Sequence, residues 1–167
     1  PQPFNGPVRV FYTSRTHQQL NQVVKEFKRL QYNPQMSFLA SRSNLCLFEP
    51  VYKSNNVDYQ CRSQRHNCPY AENGKFIPDD LRTEKFDIED LKTYCKENVR
   101  CPFMIAREMA KEAPLIFCPY NYIISPQLRE QLKLNLKNSI VIFDEAHNIE
   151  DVCRETAKFS VKRNEIE

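Results

Sequence analysis

Two adjacent carboxylates follow the most apolar run in the sequence. Asp144-Glu145-Ala146-His147 comes directly after Ser139–Phe143, a largely β-branched segment that predicts a buried strand. In open α/β sheets, ligands bind at the carboxyl ends of the strands. One carboxylate there can hold the Mg²⁺ that bridges nucleotide phosphates, and a second can deprotonate the attacking water. A bare Asp-Glu pair is usually a solvated turn, so the strand in front of it is what favours chemistry here.

The rest of a nucleotide site is not encoded in these residues. The sequence has only two glycines and no G-x-x-x-x-G-K-[ST] motif, because its one Gly-Lys pair, Gly74-Lys75, is followed by Phe76. The lysine and hydroxyl that hold β- and γ-phosphates are therefore missing. We expect that this chain does not hydrolyse ATP by itself.

Four of the seven cysteines are candidates for a metal centre: Cys46, Cys61, Cys68 and Cys101. Without a secretion signal, clustered cysteines favour metal binding or catalysis over disulfides. No C-x-x-C pair occurs, although structural zinc sites usually contain one. Four thiolates also hold a [4Fe–4S] cluster, so the spacing mildly favours iron–sulfur over zinc and leaves both open, with unliganded thiols as a third reading.

The other three cysteines are assigned by their surroundings. Cys95 competes with Cys101 as the fourth ligand. Cys118 ends a predicted strand, and Cys153 follows Val152 on the apolar face of a predicted helix. Both are predicted to be core thiols.

The elements that must position these residues begin near the N-terminus. Residues 8–13 predict a buried strand, and Ser14-Arg15-Thr16 predicts a turn that caps a helix. Residues 36–40 predict a second short strand. Between them an amphipathic helix is predicted from apolar residues on one face, which are Leu20, Val23, Val24, Phe27 and Leu30.

Residues 41–100 have weak apolar periodicity, and five cysteines lie from Cys46 to Cys101. A segment this poor in apolar residues cannot easily form a core of its own, and a metal cluster would supply cross-links. Residues 88–94 are its one predicted helix.

Regular patterns return after Cys101. Pro102 suits the first turn of a helix that runs to Ala113, residues 115–118 predict a strand, and residues 128–132 predict a short helix. Ser139–Phe143 predicts a central, parallel strand. Asn148 is predicted to cap a last helix. Strands that alternate with helices predict an α/β fold with a parallel sheet.

Composition and charge set weaker bounds. Apolar residues make up 41% and charged residues 27%, as in ordinary globular proteins, and no apolar run is long enough to span a membrane. The net charge is +3, with the basic excess in residues 1–45, where six Lys/Arg face one Glu. Such a face can bind phosphates or can simply be solvated.

Taken together, these motifs resemble the XPD-type iron–sulfur superfamily 2 helicases, from about Val8 to Val161. Ser14-Arg15-Thr16-His17 with Gln19-Leu20 resembles motif Ia of that family. Residues 41–46 and 100–107 resemble the segments around its first and last cluster cysteines. Residues 117–122 and 141–150 resemble the return into helicase domain 1 and motif II. Within the family, residues 117–122 and 148–161 are most similar to the Fanconi anaemia group J subfamily, with the telomere-length-regulating subfamily as the nearest competitor.

The resemblance implies a partial RecA-like helicase domain 1, formed by residues 1–40 and 113–167, with a mostly irregular or helical iron–sulfur insertion at residues 41–112. It implies a [4Fe–4S] cluster on Cys46, Cys61, Cys68 and Cys101. It also implies that Asp144 coordinates Mg²⁺, Glu145 activates water and His147 couples hydrolysis to movement. Arg15, Thr16 and His17 are expected near the single-stranded DNA path.

As an activity, the resemblance implies a fragment of an ATP-dependent 5′→3′ DNA helicase of DNA repair and genome maintenance in the nucleus. The expected partners are single-stranded or forked DNA and the remaining helicase domains of the same polypeptide, with no membrane. The start at Pro1-Gln2-Pro3, just before a core strand, favours a fragment over a natural domain. The alternative is a stand-alone, metal-stabilised nucleic-acid-binding module without catalysis.

Overall fold

A computed structural model describes residues 8–72 and 76–157, and these are built on a four-stranded parallel sheet. The strands are β1 (Arg9–Ser14), β2 (Met36–Phe38), β3 (Leu115–Pro119) and β4 (Ser139–Phe143). Their order across the sheet is β2-β3-β1-β4, and each neighbouring pair runs parallel. The predicted α/β fold with a parallel sheet is confirmed. The predictions for Pro1-Gln2-Pro3, Gly74-Lys75 and the tail to Val161 lie outside the described residues.

The prediction that β4 is central is wrong for the described part of the chain. β4 pairs with β1 on one side and forms an edge of the sheet. Val141 and Phe143 pack against a core cluster, whereas Ile140 is 54% exposed and Ile142 is 42% exposed. The uniformly apolar composition predicts burial on both faces, but the described residues cover only one of them.

The turn after β1 leads into α1 (His17–Lys28). Thr16 caps this helix: its side chain accepts a hydrogen bond from the Gln19 backbone N–H, and the Gln19 side chain accepts one from the Thr16 backbone N–H. Leu20 and Val24 are buried. The expected contribution of Leu30 to the apolar face is wrong, because the helix ends at Lys28 and Leu30 is 57% exposed.

The cysteine-bearing segment is more helical than predicted. It contains four short helices before the one that the sequence predicts: α2 (Arg42–Leu45), α3 (Glu49–Tyr52), α4 (Val57–Ser63) and α5 (Asp79–Thr83). The predicted helix is α6 (Ile88–Glu97). Local caps explain part of this order, because Asn56 accepts from the backbone of Tyr59 and Asp87 forms a capping box with Asp90.

The same segment packs onto the sheet. Leu45, Leu81 and Leu91 are almost fully buried in one cluster with Phe38 and Phe117 from β2 and β3. Few apolar residues therefore suffice to hold the insertion, because they share the core of the parallel sheet. Hydrogen bonds add to this contact, as Lys28 of α1 bonds Asp90 of α6 at 2.6 Å.

The chain after Cys101 forms α7 (Pro102–Glu112), α8 (Tyr120–Ile124), α9 (Pro126–Leu132) and α10 (Ile149–Ala157), with a 3-10 turn at Ala146–Asn148. The helices predicted from Pro102 and at 128–132 are confirmed, and α8 was not predicted. No helix in the described ranges is long and apolar enough to cross a membrane.

The face of α10 differs from the prediction at one position. Ile149 and Val152 are half-buried, but Cys153 is exposed. The helix presents positions 149, 152 and 156 to its neighbours, and Cys153 falls outside this stripe. The assignment of Cys153 as a core thiol is therefore wrong, whereas Cys118 is buried as predicted.

Candidate functional site

The carboxyl ends of β1 and β4 are locked together where the DEAH residues begin. The Asp144 backbone N–H donates to the Thr13 carbonyl oxygen at 2.8 Å, and the Thr13 hydroxyl donates to the Ile142 carbonyl at 2.9 Å. Thr13 is fully buried, so this connection is protected from water. Asp144 and Glu145 therefore lie at the edge of the sheet where α/β proteins bind ligands.

Asp144 lies beside the phenol of Tyr12. The pKa of Tyr12 is raised first by burial and then by the charge and hydrogen-bonding effect of Asp144, so the hydroxyl stays protonated. Asp144 is half-buried and keeps further oxygen lone pairs. A partly exposed carboxylate at this edge has the chemistry that Mg²⁺ prefers, and the prediction that Asp144 holds the ion fits this environment.

Glu145 begins a strained turn. Its φ is +56°, in the left-handed region that non-glycine residues rarely occupy. Its Oε2 lies 3.3 Å from Nδ1 of His147, and Nε2 of His147 lies 3.0 Å from Nδ2 of Asn148. About half of the Glu145 side chain is exposed. The predicted base and the predicted coupling residue are thus neighbours in contact, and the base is open to solvent.

The turn after β1 reaches this site through Arg15. Its Nη1 donates to Oδ1 of Asn148 at 3.0 Å, across 133 residues of sequence. Asn148 had been predicted as a helix cap, and its side-chain oxygen accepts from Arg15 instead. Its Nδ2 donates to the Glu145 carbonyl at 3.3 Å. The motif Ia candidate and the DEAH turn are therefore hydrogen-bonded neighbours.

Beside this contact lies a cleft of about 610 Å³. All three predicted nucleic-acid-binding residues line it, and burial lowers the pKa of His17 so that its imidazole is neutral at neutral pH. The complete lining consists of Arg15, Thr16, His17, Ser41, Asn44, Pro119, Tyr120, Asn121, Tyr122, Val152 and Glu155.

A second cavity, of about 150 Å³, is lined by all four predicted cluster ligands. The pKa of Cys46 is raised by burial and further by the nearby thiols Cys101, Cys61 and Cys68. The structure thus brings together residues that are spread over 56 positions of sequence. Cys95 does not line the cavity: it is fully buried in the core, where burial above all raises its pKa to about 12.

Burial raises the pKa of Cys46, Cys68 and Cys101. Hydrogen bonds from the backbone of Tyr70 and Ala71 to Cys68, and of Met104 and Phe103 to Cys101, act against this effect. The Cys46 thiol donates to the Phe48 carbonyl oxygen at 3.8 Å. Hydrogen bonds to the sulfurs also tune iron–sulfur clusters. Positive charge on the same walls comes from Arg42, Arg65 and Arg107.

The four cysteines line one cavity but do not form a site for a single ion. Across residues 8–72 and 76–157, no three His, Cys, Asp or Glu side chains are placed to hold a single metal ion. Each thiolate of a [4Fe–4S] cluster binds a different iron, so its ligands surround a larger group than one zinc ion. The donor set, the backbone hydrogen bonds and the positive walls fit the cluster.

Several residues of these sites were missed by the sequence analysis. Tyr12 and Tyr120 were counted as strand and segment residues, yet both lie beside Asp144. Arg42 and Arg107 were part of the quoted motifs without a role. The guanidinium of Arg42 lies 4.1 Å from the ring centroid of Phe103, and that of Arg107 lies 5.5 Å from it. Their nearness to Cys46 and Cys101 in sequence was the available signal.

Parallel strands with carboxylates at their carboxyl edge define an α/β domain with a candidate ligand site at that edge. The chain matches the DEAD_2 family over residues 12–166 and belongs to that family. The resemblance to this helicase family is thereby confirmed, and relatives that are 41% and 37% identical over most of this chain carry helicase names.

Curated relatives include a regulator of telomere elongation helicase 1 homolog from Arabidopsis thaliana, 41% identical over 91% of this chain. The regulator of telomere elongation helicase 1 of Mus musculus is 37% identical over 95% of it. The chain spans only 16% and 14% of these two proteins. Their group is the competitor that the sequence analysis named, and the order of the two subfamilies stays a prediction.

The fold has solved counterparts. A structure titled "Truncated XPD" aligns with a TM-score of 0.59 at 23% identity and covers 87% of this chain and 42% of that one. A structure titled "XPD_Helicase" gives 0.57 at 23% identity, over 86% of this chain and 25% of that one. At this identity the likeness concerns the fold alone.

Proposed function

We propose that this chain is part of the first motor domain of an ATP-dependent DNA helicase that moves 5′→3′ along single-stranded DNA. Its cysteine module would hold a [4Fe–4S] cluster and help to part the duplex, and the complete protein would serve DNA repair and genome maintenance in the nucleus. Membership of the DEAD_2 family and the helicase names of the relatives support this proposal.

The observation that carries the proposal is the hydrogen bond between Arg15 and Asn148. It places the wall of the cleft against the turn that holds Glu145 and His147. A motor must link strand binding to hydrolysis. Arg15 and Asn148 would provide this link, because their hydrogen bond joins the cleft to the turn of the proposed base. His147, which lies between Glu145 and Asn148, is positioned for the coupling role assigned to it.

In the complete enzyme, Asp144 would hold the Mg²⁺ that neutralises charge on the phosphates of ATP. Glu145 accepts a proton from water while the water oxygen attacks the γ-phosphorus and the bond to the bridging oxygen of ADP breaks. The phenol of Tyr12, which lies beside Asp144, would help to orient that carboxylate. The lysine of a phosphate loop is not among the residues of this chain, so hydrolysis requires the rest of the polypeptide.

The nucleic-acid strand is proposed to lie in the cleft beside α1. Arg15 offers a guanidinium to phosphates, and the first turn of α1, which Thr16 caps, offers backbone N–H groups. These are contacts to the backbone of the strand, which fit binding without sequence preference.

Cys46, Cys61, Cys68 and Cys101 would hold the cluster, which cross-links a segment that has little core of its own. The helix α4 and the 3-10 turn Arg65–Asn67, which carry or flank the two middle ligands, have no buried residue. Arg42 bridges this wall to the sheet side, since it pairs with Asp58 at 2.5 Å and stacks on Phe103.

The open face of β4 supports the proposed contact with the remaining domains of the same polypeptide. Ile140 and Ile142 expose apolar side chains on adjacent positions of that face. An apolar strand face of this kind is normally covered in parallel sheets.

The test is Glu145→Gln in the complete polypeptide. Loss of the base should lower DNA-stimulated ATP turnover by at least about 100-fold, while nucleotide and DNA binding stay within twofold. Glu150→Gln is the matched control, because Glu150 is an exposed carboxylate on α10 that pairs with Arg154. Wild-type turnover in Glu145→Gln would remove Glu145 from its role. Strand binding by the wild type without any turnover would instead favour the non-catalytic module.

A further inference from the structure

The hydroxyl of Tyr120 is a buried polar group that has no hydrogen-bond partner in the described part of the chain. Tyr120 is the first residue of α8 and is 1% exposed. Its ring packs on Phe143 with the centroids 5.7 Å apart, so the phenol is held at the carboxyl edge of the sheet. A buried donor without an acceptor costs stability and calls for a functional explanation.

The surroundings of this hydroxyl offer two carboxylates as acceptors. Burial raises the pKa of Tyr120, and the charges of Asp144 and Glu145 raise it further, so the group is a permanent donor near both carboxylates. Asp144 already lies beside the phenol of Tyr12 and is the proposed ligand of Mg²⁺. The carboxylate of Glu145 has one close contact, with Nδ1 of His147 at 3.3 Å, and retains acceptor positions.

Tyr120 also forms a wall of the cleft that contains Arg15 and Thr16. A strand in this cleft would cover the phenol from one side and leave the carboxylates on the other. Arg15 lines the same cleft and donates to Asn148 at 3.0 Å, and Asn148 donates to the backbone carbonyl of Glu145 at 3.3 Å. These bonds connect the cleft to the turn that carries the base.

We propose that Tyr120 is a positioning residue for hydrolysis: when a nucleic-acid strand fills the cleft, its hydroxyl donates to the carboxylate of Glu145 and holds that base towards the attacking water. The inference rests on the proposed function and adds to it a route by which strand binding stimulates turnover. Without the strand, the hydroxyl is unpaired and half of the Glu145 side chain faces solvent.

The experiment is Tyr120→Phe in the complete polypeptide, which removes the hydroxyl and keeps the ring on Phe143. At saturating oligothymidylate, kcat for ATP should fall roughly tenfold, the effect expected for one hydrogen bond to a charged group. The KM for ATP and the Kd for the oligonucleotide should stay within twofold. The Tm should not fall, because the variant loses an unsatisfied donor.

Tyr94→Phe is the matched control, because it removes a hydroxyl that bonds Asp80 at 3.1 Å in the insertion, far from the carboxylates in the fold. It should leave kcat at the wild-type value.

Four results for Tyr120→Phe would overturn the inference. The first is ATP turnover that the oligonucleotide stimulates as fully as in the wild type, and the second is a kcat that falls equally with and without oligonucleotide. The others are weaker oligonucleotide binding with a full kcat at saturation, and a lowered Tm. An active wild type with a fully active Tyr120→Phe would overturn this inference alone. A wild type without DNA-stimulated turnover would overturn the proposed function as well.

Discussion

Cys101 and Cys95 are six residues apart, and the structure gives them opposite consequences on substitution by serine. Cys101 is the N-cap of α7 and lines the four-cysteine cavity. Serine is a preferred N-cap and is nearly isosteric with cysteine. Cys101→Ser should therefore remove a metal ligand while it changes the stability of the metal-free protein by less than about 0.5 kcal/mol.

Cys95→Ser places a hydroxyl in the core. Cys95 is 0% exposed and belongs to the cluster that includes Leu91 and Ile105. A buried hydroxyl without a good partner costs about 1–3 kcal/mol. For a chain of this size each kcal/mol corresponds to about 2–4 °C in Tm. We expect a Tm several degrees lower, with iron content close to wild type.

The assay combines metal analysis with hydrogen exchange on anaerobically purified protein. The wild type should contain about four irons per chain, and Cys101→Ser should lose most of them. Protection should disappear first in α4 and the 3-10 turn Arg65–Asn67, which have no buried residues. It should persist in α6, where Leu91 is fully buried, and in β4.

The reasoning is refuted if Cys95→Ser loses more iron than Cys101→Ser, because Cys95 would then be the ligand. Two irons per chain would point to a [2Fe–2S] cluster, and stoichiometric zinc without iron would replace the cluster by a zinc site. Uniform loss of protection over residues 41–101 would contradict the shared core. Uniform loss would indicate that metal cross-links, and not packing on the sheet, hold this segment.

Two further predictions concern the surface. Asp90 loses some charge stability to burial, but a backbone hydrogen bond within its capping box and the ion pair with Lys28 lower its pKa below 3.8 overall. The ionised Asp90 therefore stabilises the fold above pH 3.8, and this contribution is lost as the pH falls through the lower pKa of the folded state. Asp90→Asn should flatten the acid limb of a pH–Tm curve by less than about 1 kcal/mol, because the Asp90 side chain is 45% exposed. An unchanged acid limb would contradict this prediction. Ile142→Lys should change the stability of this chain by less than about 0.5 kcal/mol, because Ile142 is 42% exposed. In the complete polypeptide the same substitution should lower the Tm strongly, because it would bury a charge under the domain that covers β4. Equal effects in both proteins would argue that nothing covers β4.

The elements that the sequence predicts well are those whose pattern depends on local neighbours. Three examples are the strand at residues 8–13, the helix cap at Thr16 and the helix that begins at Pro102. Each is specified by the residue types and spacing of its own short segment. The insertion was underestimated because its helices are four to seven residues long, too short for periodicity to register, and they are stabilised by caps and by packing on the sheet.

The candidate sites divide in the same way. Asp144 and Glu145 could be predicted because a strand and a polar turn adjoin in sequence. Tyr120 and Arg42 could not, because their roles come from elements that approach only in the folded sheet. The position of β4 was predicted wrongly for a related reason. Its apolar composition predicts that both faces of the strand are buried, but the described residues cover only one face.

The two candidate sites share one short wall. In α2, Asn44 lines the cleft beside Arg15, Arg42 lines the cysteine cavity, and Cys46 follows directly as its C-cap. Leu45, between them, is fully buried in the shared core. A group bound to Cys46 therefore fixes one end of the helix whose other residues shape the cleft. Loss of the proposed cluster in Cys101→Ser should therefore weaken oligonucleotide binding, even though Cys101 does not line the cleft. The same substitution should leave the hydrogen bond between Arg15 and Asn148 in place, because β1 and β4 hold that side of the cleft.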